Sequence, residues 1–482
     1  MERIVDYLRD KYGNWGWMGQ RAHDGAGIDR VLPLDFMISC DYGAEIPYYF
    51  REEDVFSVEK RLGLRKDWSN EDLGSSFKGA LGREILERWK SYKKGVNLIC
   101  YRSIKKLEGD RPELPKGFRL YAMPERLKRH FDNKVLLFKT LPKLLLPHIP
   151  GRIVRLGKVT FKGLRGELSL PFVVQFPYGS SGLYTFVIQE ERQYRSLRRR
   201  YPEQTVVVRR YIDGFALNVN GIIVSTADGP GTHCVFPSVQ ITGRRECSNF
   251  PSAFCGNDYA AACDVDPYVI RQVKRIITVV GEWMARSGFR GIFGMDLLVE
   301  KGVVYPVEIN PRFQNSTSLH TVLSSATQPQ RDMLFLAHVA EFLQKSDGIM
   351  ERFLKAFRFE ELMQPLKGAQ IILHNRMRKS VVTGSPAAGV YRPDEGRLRL
   401  VRKGATLNLC RNRRDILVTC GVPRPDMVIE PNAVVCKIQS PGRVLDSSDN
   451  RSLDPGMKRI VSRVYEKLGL RDTAEVEAAR SL

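Results

Sequence analysis

The sequence predicts a mixed chain: an α/β layer with a parallel sheet, then an α+β region of antiparallel strands. Two textures carry this reading. In the N-terminal third, Phe36-Met37-Ile38-Ser39-Cys40 and Val96-Asn97-Leu98-Ile99-Cys100-Tyr101 read as buried strands. Between them, Leu81 to Tyr92 sets Leu81, Ile85, Leu86 and Trp89 at helical spacing. Strands that alternate with helices build parallel sheets. From Ile153 onward strand-like runs crowd together: Phe172 to Gln175, Thr205 to Ile212, Gly221 to Thr226 and Val235 to Ile241. The gaps between them suit antiparallel hairpins.

The remaining elements follow in order. Asp132-Asn133-Lys134 opens a helix that ends before Pro147, with Asp132 as its expected N-cap. A long helix is expected over Pro267 to Ser287, its apolar face made by Val273, Ile276, Ile277, Val280 and Met284. Proline at its start and Gly288 just past its end fit the usual asymmetry of helix termini. A second helix is expected over about Gln330 to Gln344, and the closing region, rich in arginine and short strands, ends in a helix around Met457 to Leu468.

A chain of 482 residues holds several domains, and 43% hydrophobic with 27% charged residues excludes a disordered chain, a collagen and a coiled-coil rod. A net charge of +22 favours polyanions, anionic ligands or acidic surfaces as partners. No run reaches the ~18 apolar residues of a membrane span, and Met1 to Asp6 has no apolar signal core. Nine cysteines without a CxxC pair read as free thiols, so a reducing, cytoplasmic location and no membrane partner are expected.

Two segments carry chemistry. In Gln175-Phe176-Pro177-Tyr178-Gly179-Ser180-Ser181-Gly182-Leu183-Tyr184-Thr185-Phe186 a strand enters a turn of small residues. Glycines let backbone N–H groups approach a phosphate, and serine hydroxyls add donors. The same turn is also an ordinary loop, and it is no Walker loop, because no Gly-Lys-Ser/Thr follows. The second segment, Gly291 to Arg312, has two apolar strands around a Glu300-Lys301-Gly302 turn. A turn centred on Gly302 places Asp296 opposite Glu308, and period-two alternation puts Glu308 and Asn310 on one face. Two carboxylates and an amide oxygen among Leu and Val are costly to bury without a cation, and they are the oxygen ligands magnesium prefers. A hairpin with a solvated polar face is the plainer alternative.

Gly291-x-x-Gly294-x-Asp296, a hairpin and Glu308-Ile309-Asn310-Pro311-Arg312 together resemble the metal-binding signature of the ATP-grasp superfamily. Asp132-Asn133-Lys134 resembles the start of the ATP-binding part of biotin carboxylase-like members. Pro171 to Gln175 resembles the strand before their lid, and Arg209-Arg210-Tyr211-Ile212-Asp213-Gly214 their hinge. Within the superfamily the chain looks most like bacterial peptide or amino-acid ligases of the pheganomycin-ligase type. The resemblance implies a pre-ATP-grasp α/β domain over 1–130, an ATP-grasp domain over 131–345 with its lid at about 153–225, and a strand-rich basic domain over 346–482. It departs from the family at Gln175, where a phosphate lysine is usual, at Arg209, where the hinge acid is usual, and at Ala216, where a ribose carboxylate is usual. Lys158 or Lys162 could stand in for the missing lysine.

The implied activity is ATP-dependent amide or peptide bond formation between a carboxylate and an amine through an acylphosphate. The substrates would be an amino acid or a peptide. ATP and magnesium, with manganese as a substitute, are the implied cofactors. Asp296, Glu308 and Asn310 would hold the metal. Lys134, Gln175, Gly179, Ser180, Ser181, Gly182, Arg210, Ile212 and Asp213 would hold ATP, and Arg312 would be catalytic, stabilising the oxyanion. A homodimer is compatible with this reading, and no nucleic-acid partner is expected. A biotin-dependent carboxylase-like component, or a non-catalytic ATP-grasp protein binding a polyanion, are the alternatives. His233, His320 and the run Arg192, Arg195, Arg198, Arg199 and Arg200 are secondary candidates, read first as an idle loop histidine, a strand-adjacent histidine and a solvated helix face.

Overall fold

The computed structural model describes residues 2–474, apart from 26–27, 29–31, 33, 76, 109–112, 180–181, 183, 227–228, 328–333, 385, 395 and 426. The N-terminal layer is a five-stranded parallel sheet in the order Val55–Ser57, Phe36–Ser39, Asn14–Gly19, Val96–Cys100, Arg119–Tyr121. The chain moves outward on one side of Asn14–Gly19 and then returns to its other side. The order therefore reverses between Asn14–Gly19 and Val96–Cys100, where an open α/β sheet forms a crevice beyond its carboxyl ends. The expected helix is present as Gly79–Lys90, burying Leu81, Ile85 and Trp89.

A separate four-stranded antiparallel sheet runs Gly151–Arg155, Thr205–Arg210, Phe172–Gln175, Thr185–Ile188. Its own core includes Phe172, Val174, Tyr194 and Val208. The largest sheet has 11 strands. It begins at the edge strand Val303–Asn310 and continues through Gly291–Glu300, Phe215–Thr226, Ser238–Thr242 and Phe254–Asp258. There Gly256–Asp258 pairs with Ala369–Ile371, and strands Val434–Ser440, Ile416–Thr419, Gly389–Asp394 and Arg397–Lys403 extend the sheet. The strands expected at Gly221 to Thr226 and Val235 to Ile241 are thus Phe215–Thr226 and Ser238–Thr242.

Helix Pro267–Arg286 packs on this sheet with Val273, Ile276, Ile277, Val280 and Met284 all buried, the face its spacing predicts. Such burial stabilises by on the order of 1.5–3 kcal/mol per side chain. Asp266 caps its start by accepting from the Tyr268 N–H. The helix expected near Gln330 is described as Leu334–Leu343, its first residues lying outside the described set, and the last helix is Pro455–Leu468. One N-cap differs from expectation. Asp132 ends the preceding helix Glu125–Phe131, and Asn133 caps Lys134–Thr140 by accepting from the Val135 and Leu136 N–H groups. All nine cysteines are free. Among the described residues no helix is long and apolar enough to cross a membrane.

Candidate active site

The hairpin Gly291–Glu300 and Val303–Asn310 turns through Lys301 and Gly302, whose φ angles of +50° and +78° are those of a two-residue primed turn. Pairs from Glu300↔Val303 to Leu297↔Pro306 follow that turn. Continued unbroken, this register would set Val307 opposite Asp296 and send Glu308 to the other face. A bulge after Pro306 shifts the register by one, and Asp296 pairs with Glu308. The expected pair is therefore present, but through a bulge rather than through a turn centred on Gly302. The slip is written in the core-facing residues, which run Val304, Pro306 and then Ile309.

Strand Phe215–Thr226 lies on the other side of Gly291–Glu300 and sets Asn218 opposite Asp296. Asn218 Nδ2 donates to Asp296 Oδ1 at 2.6 Å, and Asn310 Nδ2 donates to Asp296 Oδ2 at 3.3 Å. Arg312 Nη2 donates to Asn310 Oδ1 at 2.8 Å, and its Nη1 donates to the Tyr101 hydroxyl at 3.1 Å. Tyr101 directly follows Val96–Cys100, so the N-terminal crevice opens onto Arg312. On the other flank, Lys134 Nζ lies 2.7 Å from Glu308 Oε1 and donates to the Gly179 carbonyl at 3.0 Å.

Burial governs the electrostatics. It pushes the Glu308 carboxyl up to about 7, against the pull of Lys134 and with the push of neighbouring Asp296. Burial raises Asp296 as well, against the hydrogen bond from Asn218. Arg312 is disfavoured by burial, but Tyr101, Asp132, Glu308 and Asp296 outweigh this and raise its pKa. Two adjacent carboxylates that burial makes reluctant to ionise, beside the Asn310 amide, are a donor set that a hard divalent cation could complete. The set has two acids; among the described residues no group of three or more His, Cys, Asp or Glu side chains gathers.

The structure thus brings together Lys134, Gly179, Asp296, Glu308, Asn310 and Arg312. Gln175 ends the lid strand, where its Nε2 donates to Thr185 Oγ1 at 3.3 Å and its Oε1 accepts from Arg209. Gly182 has φ +80°, and a Cβ there would lie 2.3 Å from the Ser252 carbonyl oxygen. Its own carbonyl accepts from Ser252 Oγ at 3.3 Å. Ser180 and Ser181 lie outside the described residues. Ile212 is buried. Arg210 and Asp213 do not converge with the others: Arg210 makes a two-pronged contact with Glu300 at 2.8 and 3.2 Å, and Asp213 accepts from Arg451 at 2.8 Å.

The secondary candidates fall elsewhere. His320 is a buried core residue against Tyr259, with burial lowering its pKa to about 4. His233 stacks on Phe359 with ring centroids 3.9 Å apart. Arg195, Arg198 and Arg199 line an outer cleft of the lid with Arg155 and Lys158. Asn218 and Tyr101 escape a sequence reading of the site. The signal for Asn218 is the alternation of Asn218 and Asn220 within an apolar strand; nothing local marks Tyr101.

Residues 131–316 match the ATP-grasp domain family. The arginine-specific carbamoyl phosphate synthase large chain of Geobacillus stearothermophilus is 24% identical over 185 residues, 38% of this chain. The match spans only 16% of that relative's length. Among solved structures, the phosphoribosylamine–glycine ligase of Thermotoga maritima superposes with TM-score 0.52 at 11% identity, covering 95% of this chain and 97% of that one. The N5-carboxyaminoimidazole synthase of Aspergillus clavatus, in complex with ADP and 5-aminoimidazole ribonucleotide, gives 0.51 at 11% identity, over 93% and 99% of the two chains. These likenesses are likenesses of fold. The family match assigns an ATP-grasp domain to residues 131–316.

Proposed function

We propose that the protein is an ATP-dependent, ADP-forming ligase that joins a carboxylate to an amine, the substrates being amino acids or peptides. The observation that carries the reading is the half-buried Asp296–Glu308–Asn310 face, bounded by Lys134 on the lid side and by Arg312 on the side of the N-terminal crevice. Asp296, Glu308 and Asn310 would hold magnesium, which would supply charge neutralisation for phosphoryl transfer. Asn218 fixes the Asp296 carboxylate, and Arg312 holds the Asn310 amide oxygen. Lys134 ties the lid turn at Gly179 to Glu308.

In the reaction, a substrate carboxylate oxygen takes the γ-phosphoryl group and ADP leaves. The amine nitrogen then attacks the acyl carbon, the carbon–oxygen bond to phosphate breaks, and the amine proton is lost. The Arg312 guanidinium, next to the crevice, stabilises the oxyanion of that attack. The lid covers the phosphates and excludes water, which would hydrolyse the acylphosphate. The nine free thiols and the use of ATP support action in the cytoplasm. One observation favours a second reading, polyanion binding without turnover: the outer cleft of about 460 Å³ lined by Arg155, Lys158, Arg195, Arg198 and Arg199. The test is ADP release, with mass spectrometry of products, from ATP, magnesium and pooled amino acids. Amino-acid-dependent ADP release with a condensed product supports the ligase; its absence favours the second reading.

A further inference from the structure

The lid sheet holds a buried cation. Arg209 is 6% exposed, and its Nη2 donates to Gln175 Oε1. Gln175 pairs with Val207 across the sheet, so Arg209 is its diagonal neighbour on the same face. No Asp or Glu lies within ion-pair distance of Arg209 among the described residues. The acid whose charge it feels is Glu308 of the hairpin, and burial lowers the Arg209 pKa to about 10. A guanidinium has five N–H donors in a planar fork. Burying one against a neutral amide, with no acid in contact, is expensive unless an anion completes it. The lysines expected to serve this face do not: Lys158 lines the outer cleft, and Lys162 is exposed on helix Phe161–Leu168.

Gln175 is the informative half of the pair. A glutamate there would hold Arg209 more strongly but would cancel its charge. A glutamine orients the guanidinium and leaves the charge for a ligand.

We propose that Arg209, positioned by Gln175, is the cation that the lid sheet presents to the phosphates of the bound nucleotide. The proposal rests on the nucleotide reading given above. It assigns the phosphate contact to Arg209 on strand Thr205–Arg210 and makes Gln175 a positioning residue.

The test is ATP titration by calorimetry, with magnesium, on wild type, Arg209→Met and Gln175→Glu, alongside thermal unfolding of the nucleotide-free proteins. Arg209→Met should weaken ATP at least tenfold. Gln175→Glu, which gives Arg209 an internal partner and so keeps the fold, should also weaken ATP at least tenfold while raising the unfolding temperature. That opposite movement is what a purely structural role for Gln175 would not produce. If wild type binds ATP and Gln175→Glu binds it within twofold as tightly, the assignment of Arg209 is overturned and the nucleotide site stands. If wild type binds no ATP, the nucleotide reading falls and this one with it.

Discussion

Lys134 Nζ and Glu308 Oε1 lie 2.7 Å apart, one at the first turn of the helix behind the lid and the other beside the bulge of the metal-type hairpin. The contact joins the two halves of the candidate site. It also gives the Glu308 carboxylate a counter-charge on the lid side.

Glu308→Ala removes the acid shared by Lys134 and the proposed metal. The expected outcome is loss of turnover by at least about a hundredfold, because several kcal/mol of charge stabilisation disappear from the phosphoryl step. The check is ADP release at saturating magnesium and ATP. Turnover within tenfold of wild type would remove Glu308 from the metal set.

Arg312 holds Asn310 Oδ1 and the Tyr101 hydroxyl at once. Arg312→Ala should lose at least about a hundredfold in ligation, the scale of one oxyanion donor. Arg312→Lys should recover only part of it, since an ammonium cannot address two acceptors in one plane. Tyr101→Phe removes only an acceptor and should cost less than about tenfold. Product formation and ATP titration on the same preparations separate these roles. A collapse of ATP affinity in Arg312→Ala equal to its loss of rate would assign Arg312 to the nucleotide.

His338 gives the fold an acid limit. The Ile292 N–H donates to His338 Nδ1 at 3.1 Å, and Nε2 lies 3.1 Å from the Tyr121 carbonyl, an arrangement that only the neutral ring with its proton on Nε2 satisfies. Burial pushes its pKa down to about 4. The unfolded chain takes a proton near pH 6.5, which the folded ring refuses until about pH 4. Stability is therefore full above about 6.5 and falls as pH drops through that window, by at most ~3 kcal/mol from this residue. Urea unfolding at pH 7.5 and 5.0 should show the loss, and His338→Phe should reduce the slope by about one proton. An unchanged slope would show that another group sets the limit.

Gln175→Lys places a second cation beside the buried Arg209. The fold should lose on the order of 1–3 kcal/mol, read as a lower urea midpoint. A family pattern alone suggests that lysine should be welcome there. The urea midpoint decides between the two: a value unchanged or raised from wild type would show that the pocket accepts lysine.

Much of the hairpin is legible in the sequence, because period-two alternation and a glycine turn are local signals. The bulge is visible only as the step from Pro306 to Ile309, which a symmetric turn conceals. Asp132 and Asn133 can each cap a helix, and where the preceding helix stops decides between them. Arg209 and Arg210 show the larger limit. Adjacent residues of one strand face opposite ways, and the sequence holds no mark of which arginine turns toward Gln175 and which toward Glu300. Asn218 arrives from a strand 78 residues away in sequence from Asp296, beyond the reach of any local pattern.

The bulge also determines where the hairpin can change length over generations. A residue gained or lost between Asp296 and the turn, or between the turn and Pro306, exchanges inside for outside and carries one carboxylate away from the other. Two places escape this penalty. The tip at Lys301 and Gly302 can grow outward without disturbing the pairs below it. Val307 can be lost, since its removal returns the strand to plain pairing with Glu308 still opposite Asp296. Among descendants of this gene, length variation in the hairpin should gather at those two points and spare the rest.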